Sequence, residues 1–206
     1  MSDPNKGYDY DEVAQNVFFP AFADIAEFAL EHSGKRAGRM LDIGCGGGHL
    51  GFTVLQKSDF SGVGVDINDE AIEIANNRAQ EWGLADRVRI VKADVVAMPF
   101  SDGEFDLIVS RGSIPAWQDV PAAFAEIWRV LAPGGYAQIG CGLGREETRE
   151  RIMAKLQERK SGMFGPGHDK KFPSKSEYEQ IFADLGISDY EFNYDIGNWA
   201  IIRKPA

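Results

Sequence analysis

The chain has 206 residues, 44% hydrophobic and 26% charged, values ordinary for one soluble domain with a sizeable core. A formal net charge of -10 speaks against nucleic acid and anionic membrane surfaces as partners, since both are bound through clustered Lys and Arg. The two cysteines, Cys45 and Cys141, make neither a disulfide framework nor a zinc cluster, and no metal site is expected. No apolar run reaches spanning length, and the acidic start MSDPNKGYDYDE lacks a signal-peptide core, so a cytoplasmic location is expected.

From Asp11 to His32, Val13, Val17, Phe18, Phe22, Ile25, Phe28 and Ala29 recur at helical spacing. Pro20 is expected to break or kink this run into two helices, and Ser33-Gly34 to end it. Strands and helices then alternate. RMLDIG (39–44) reads as a strand, His49 to Lys57 as a helix and SGVGVDI (61–67) as a second strand. Asn68 or Asp69 can cap the next helix, which presents Ile72, Ala75, Ala79 and Trp82 on one face and ends at Gly83. RVRIVKAD (87–94) and FDLIVSRG (105–112) are further strands, and Val120 to Leu131 is an amphipathic helix. APGG then turns the chain into a fifth strand, YAQIGCG (136–142).

Such alternation predicts right-handed βαβ units, hence a mostly parallel sheet with helices on both faces. REETRERIMAKLQERK is expected to be a helix, followed by a Gly/Pro-rich loop. SKSEYEQIFADLG (174–186) is a helix that Ser174 and Glu177 can open with a capping box. DYEFNYDI and NWAIIRK are separated by little more than Gly197, too short a link for a parallel crossover, so the sheet should finish with an antiparallel strand. The reading is one domain over 1–206, with an N-terminal helical cap (1–35) and a variable, lid-like insertion (143–173).

The loop after the first strand, LDIGCGGGHLG, fits two templates. Gly46, Gly48 and Gly51 satisfy G-x-G-x-x-G, the dinucleotide pattern; Asp42, Gly44, Gly46 and Gly48 satisfy acidic-x-G-x-G-x-G. No Walker lysine follows, which disfavours triphosphate hydrolysis. Asp42 gives a pyrophosphate binder nothing, whereas a sulfonium cofactor with an amino-acid tail tolerates a carboxylate there. Asp66 ends the second strand, where a carboxylate can accept both ribose hydroxyls; that feature serves either template. Asp94 follows the third strand and can accept from an adenine amino group.

LDIGCGGG, GVD, GLADRVRIVKADVVAMPF, FDLIVSRG and RVLAPGG, in that order over residues 38–142, resemble the class I S-adenosylmethionine-dependent methyltransferases, of the type 11-like small-molecule group. SRGSIPAWQDVPAAFAEIWRVLAPGG, IGCGLG and GNWAIIRK further resemble an uncharacterised archaeal and anaerobe subgroup. The resemblance implies a Rossmann-like three-layer α/β sandwich with a seven-stranded sheet of order 3-2-1-4-5-7-6, strand 7 antiparallel. It implies S-adenosyl-L-methionine as cofactor, S-adenosyl-L-homocysteine as product and a small-molecule acceptor. Carried over by position, Asp42, Gly44, Cys45 and Gly46 meet the methionine moiety. Asp66 meets the ribose and Ile67 packs on adenine. Asp94 takes the adenine amino group, Val95 offers a backbone N–H, and Ser110 and Arg111 stand beside the methionine part.

No catalytic group is evident; His168, Tyr8 and Arg111 are the candidates. Tyr8 and Tyr10 can close over the cofactor, Trp117 can wall the acceptor pocket, and Cys45 and Cys141 can face one cleft. An NAD(P)-dependent oxidoreductase and a non-catalytic cofactor-binding protein are the alternatives, though the former lacks a Tyr-x-x-x-Lys constellation.

Overall fold

The computed structural model describes residues 10–159 and 172–206. Its seven strands are β1 (Ala37–Ile43), β2 (Asp59–Asp66), β3 (Val88–Lys92), β4 (Phe105–Arg111), β5 (Leu131–Cys141), β6 (Tyr190–Asn193) and β7 (Asn198–Arg203). They form one sheet of order β3-β2-β1-β4-β5-β7-β6. The first five are mutually parallel, and β7 runs antiparallel to both β5 and β6. Expectation and structure agree on the α/β class and on the order. The antiparallel end follows from chain length: only four residues join β6 to β7.

The central strands bury both faces, so their apolar residues run consecutively: Met40, Leu41 and Ile43 in β1, then Leu107, Ile108 and Val109 in β4. One face packs on α2 (Phe19–Ser33), α3 (His49–Gln56), α4 (Asp69–Glu81) and α6 (Glu146–Glu158), through Ile25, Phe52, Ala75 and Ile152 among others. The other packs on α5 (Val120–Val130) and α7 (Lys175–Asp184), through Phe124, Ile127 and Phe182. Asn68 caps α4 by accepting from the Glu70 and Ala71 N–H groups, and the Ser174–Glu177 capping box opens α7.

Two expectations need correction. Pro20 does not part the N-terminal run. α1 (Tyr10–Val13) passes through a π-helical stretch, Ala14–Phe18, straight into α2, and Pro20 sits in the first turn of α2. The burial of Val17, Phe18, Ala21 and Phe22 against the core holds the segment together across the proline. Gly34, at φ 65°, closes α2 as expected. The fifth strand also starts earlier than 136. Leu131 already pairs with Phe105, and the register shifts before Tyr136 meets Leu107, so APGG is a bulged start of β5 rather than a turn before it. Of the 143–173 segment, the described part holds α6; residues 160–171, and with them the lid-like loop, lie outside the described residues.

Candidate active site

The carboxyl ends of the parallel strands open into a cleft of about 800 Å³. It lies where the strand order reverses between β1 and β4, the place an open α/β sheet offers a ligand. Its floor is the loop after β1. Gly44 turns there at φ 64°, and a Cβ on it would run into the Ser113 side chain, so only glycine lets the two loops touch. Gly46, at φ 53°, lines the cleft, and a Cβ there would meet no atom within 4 Å. The loop is thus open to the cleft at this position.

Asp66, at the end of β2, ties this loop. One carboxylate oxygen accepts the Gly46 N–H at 2.9 Å and the other the Asn68 N–H at 3.0 Å. Each oxygen retains a further lone pair toward the cleft, which suits a vicinal diol. Next to it Ile67 is 62% exposed, a large apolar side chain left in the cleft wall. Asp94 also lines the cleft, and one of its oxygens accepts the Val96 N–H at 3.2 Å. The Val95 side chain is buried, and its backbone N–H has no acceptor among the described residues. An apolar platform, a diol acceptor, a free carboxylate oxygen and an unpaired N–H make a set that fits an adenosine group.

Three expected residues stand behind this lining. Asp42 is 4% exposed and points toward α3, where its carboxylate accepts the Gly51 N–H at 2.8 Å. Burial, opposed by that hydrogen bond and aided by the Asp66 charge, pushes its pKa from 3.8 up to about 7. It ties β1 to α3 and touches no part of the cleft. Cys45 is buried beneath the loop beside Gly64, and burial, with the Asp42 and Asp66 charges, pushes its thiol pKa up, so it is no nucleophile. Neither Cys45 nor Cys141 lines the cleft, so the arrangement in which the two face it together is not formed. Ser110 is fully buried, its hydroxyl donating to the Ile43 carbonyl at 2.7 Å. Tyr8 and His168 lie outside the described residues.

Arg111 does line the cleft. Its Nε–H donates to the Gly142 carbonyl at 2.9 Å and its Nη1 to the Tyr10 hydroxyl at 3.3 Å, and the guanidinium lies 4.9 and 5.0 Å from the Phe18 and Phe22 ring centres. Trp117 lines the same end and is braced edge-on by Phe124 at 6.0 Å.

A cluster absent from the sequence reading docks the N-terminal segment on the loop. Arg78, on α4 and 9% exposed, donates to both oxygens of Asp11 at 2.9 and 2.7 Å and to the Gly47 carbonyl. His49 stacks on Phe22 at 5.2 Å and pairs with the Gln15 amide oxygen at 3.1 Å. Burial and the Arg78 charge hold its pKa down to about 4, so it is neutral at pH 7. One signal was present: Arg78 falls inside the apolar stripe Ala75, Ala79, Trp82, where a charge needs a buried partner. Among the described residues no group of three or more His, Cys, Asp and Glu is placed to hold a metal, and no helix is long and apolar enough to cross a membrane.

Comparison with known proteins agrees with this geometry. Residues 40–135 match the family model described as a methyltransferase domain. The demethylmenaquinone methyltransferase of Thermus thermophilus is 30% identical over 177 residues, covering 79% of this chain and 78% of that protein. The ajmaline N-methyltransferase of Rauvolfia serpentina is 31% identical over 78% of this chain, which spans only 57% of that relative's length. A solved structure assigned as an S-adenosyl-L-methionine-dependent methyltransferase of Methanococcus maripaludis is 36% identical, covers 100% of this chain and 98% of its own, and superposes with a TM-score of 0.89. None of these matches favours the oxidoreductase reading.

Proposed function

The chain belongs to the S-adenosylmethionine-dependent methyltransferases, and from that premise we propose that it transfers a methyl group from this cofactor to a small-molecule acceptor by in-line displacement. The observation that carries the proposal is the adenosine-shaped set at the ends of β2 and β3: Asp66, Ile67, Asp94 and the Val95 N–H around open space above Gly46. When bound, the cofactor supplies a methyl carbon already activated on a sulfonium.

What the protein contributes is position and exclusion of water. Asp66 takes the ribose hydroxyls and holds the glycine loop at the same time, so binding and loop geometry are coupled through one carboxylate. Ile67 packs on the base, the Val95 N–H donates to its ring and Asp94 accepts from its amino group. Gly44 and Gly46 let the backbone approach the methionine part. Tyr10 and Asp11, held on the loop by Arg78, wall the cleft on the N-terminal side, and Trp117 walls the acceptor side. Asp42, Cys45 and Ser110 act from behind, shaping the loop rather than touching the ligand. No group is assigned to move a proton: Asp11 is committed to Arg78, and His49 is neutral behind the lining.

A small acceptor, rather than a nucleic acid, suits the net charge of -10 and the acidic lining of Asp11, Asp66, Glu70 and Asp94. A screen with methyl-labelled cofactor over small amines, phenols, thiols and carbon acids tests the proposal. Label should pass to at least one acceptor, and the Asp66→Ala variant should lose that turnover. Cofactor binding without transfer to any class would leave the non-catalytic reading in its place.

A further inference from the structure

Asp42 stands near the end of β1 with little polar around it. Its register partners are Gly64 of β2 and Val109 of β4, so neither neighbouring strand presents a charge beside it. On the α3 side one carboxylate oxygen accepts the Gly51 N–H, and a Cβ on Gly51 would lie 2.8 Å from that oxygen, so the helix keeps room for the group. The void next to it, about 10 Å³, holds at most one water. Apart from the Cys45 thiol, the other side chains around that void are the apolar Met40, Phe52, Leu55, Val63 and Val88. The titratable groups that face Asp42 are Cys45 from the loop and Asp66 from the end of β2, while His49 of α3 is turned to Phe22 and Gln15. One hydrogen bond, and no cation paired with it among the described residues, is a poor setting for a carboxylate anion. The folded group therefore keeps its proton up to about pH 7.

Asp66 shows that Asp42 feels the cleft. Asp66 lines it, and its negative charge is one of the causes that hold the proton on Asp42. Charge at the cleft wall thus reaches this buried carboxyl, where little water screens it. A positive charge held near Asp66 acts with the opposite sign and favours the anion. The two forms of the cofactor differ by one methyl group and one positive charge: S-adenosylmethionine is a sulfonium, and S-adenosylhomocysteine is a neutral thioether.

We propose that Asp42 is a charge sensor behind the cleft, which gives up its proton to solvent when the sulfonium form of the cofactor binds and takes one back when the thioether form is left. Asp42 touches neither form and acts through its charge alone. The anion then favours S-adenosylmethionine over S-adenosylhomocysteine, and the preference grows as pH rises toward 8, because the proton no longer has to be removed. The proposal rests on the reading of the cleft given above, and the following measurements separate its failure from the failure of that reading.

Titration calorimetry on the full chain and on its Asp42→Asn variant, with each form of the cofactor and in buffers of different ionisation enthalpy, counts the protons released on binding. Subtracting the variant's count for the same ligand cancels the ligand's own titrating groups. At pH 7 the remainder should be larger for S-adenosylmethionine than for S-adenosylhomocysteine, by about 0.4 proton if the bound sulfonium lowers the Asp42 pKa by one unit. For the same one-unit fall, the ratio of the two affinities should rise about tenfold more in the wild-type chain than in the variant between pH 5.5 and 8. Where the variant does not fold, the carbon-13 shift of the Asp42 carboxyl in the wild-type chain reads the same event. At pH 7 it should lie further toward the ionised position in the S-adenosylmethionine complex than in the S-adenosylhomocysteine complex. If neither form binds the wild-type chain, the cofactor reading itself is wrong and the proposal falls with it. If both bind, but the Asp42-dependent proton count is zero or the same for the two, or the carboxyl shift is the same in both complexes, the cofactor reading stands and the proposal is overturned.

Discussion

Asp42 carries a prediction that separates its role behind the loop from a role in the cleft. Its carboxyl titrates near pH 7 in the folded chain against 3.8 for the free group, because the site is buried and Asp66 is close. Between those two pH values the unfolded chain releases a proton that the folded chain keeps. The unfolded state thus binds fewer protons, and this group lowers stability as pH rises, with nothing lost below about pH 4 and the full penalty above about pH 7. The span of about 3 pH units at about 1.4 kcal/mol each makes the penalty at most about 4 kcal/mol. Asp42→Asn keeps an acceptor for the Gly51 N–H and removes the titration. Its amide NH2 lacks a partner and costs about 1–3 kcal/mol, but equally at every pH. Urea unfolding of both proteins at intervals from pH 4.5 to 8 measures the difference between them, which cancels every other titrating group. That difference should shift by several kcal/mol in favour of the variant on going to pH 8. A difference flat across this range would mean that Asp42 keeps an ordinary pKa in the fold, in contact with water or with a compensating cation.

Three further predictions concern the loop and its latch. Gly46→Ala should cost only about 1 kcal/mol of stability for its left-handed backbone, yet weaken S-adenosylhomocysteine at least tenfold, because the new methyl meets open ligand space; calorimetry and thermal unfolding separate the two effects. Arg78→Met should remove the bidentate ion pair to Asp11, destabilise the fold by about 2–4 kcal/mol and speed hydrogen exchange across residues 10–33 more than in β4 or β5. The His49 ring, followed by NMR, should stay neutral down to about pH 4; its depressed pKa means that stability is present above about 6.5 and is lost as pH falls toward 4. Protonation near 6.5 instead would show the ring exposed to water.

The elements were legible because their signals are local. Period, caps and glycine stops placed α4, α7 and the strands to within a few residues, and the short link at Gly197 showed that β6 and β7 are antiparallel. The full strand order is a long-range property, and it came with the family resemblance instead. Pro20 misled because a local rule was applied where buried Val17, Phe18 and Phe22 keep the helix going. At the site, Asp66 and Asp94 could be placed, since a strand-end residue reaches the cleft whichever way the strand twists. Asp42 could not: β1 is buried on both faces, so no alternation reveals that its carboxylate points at α3 rather than at the ligand. The pairing of Arg78 with Asp11 spans 67 residues, and the Ser110 hydroxyl is turned inward by a carbonyl of another strand. No pattern in a single sequence encodes either.

On the proposed function, the cleft at Gly46, Asp66 and Asp94 binds S-adenosylmethionine. Titration of the chain with S-adenosylhomocysteine tests it most directly, with Asp66→Ala and NADH as controls. One site is expected, at least tenfold weaker in Asp66→Ala, with no binding of NADH. Absence of binding at millimolar S-adenosylhomocysteine, or NADH binding that Asp66→Ala abolishes, would contradict it.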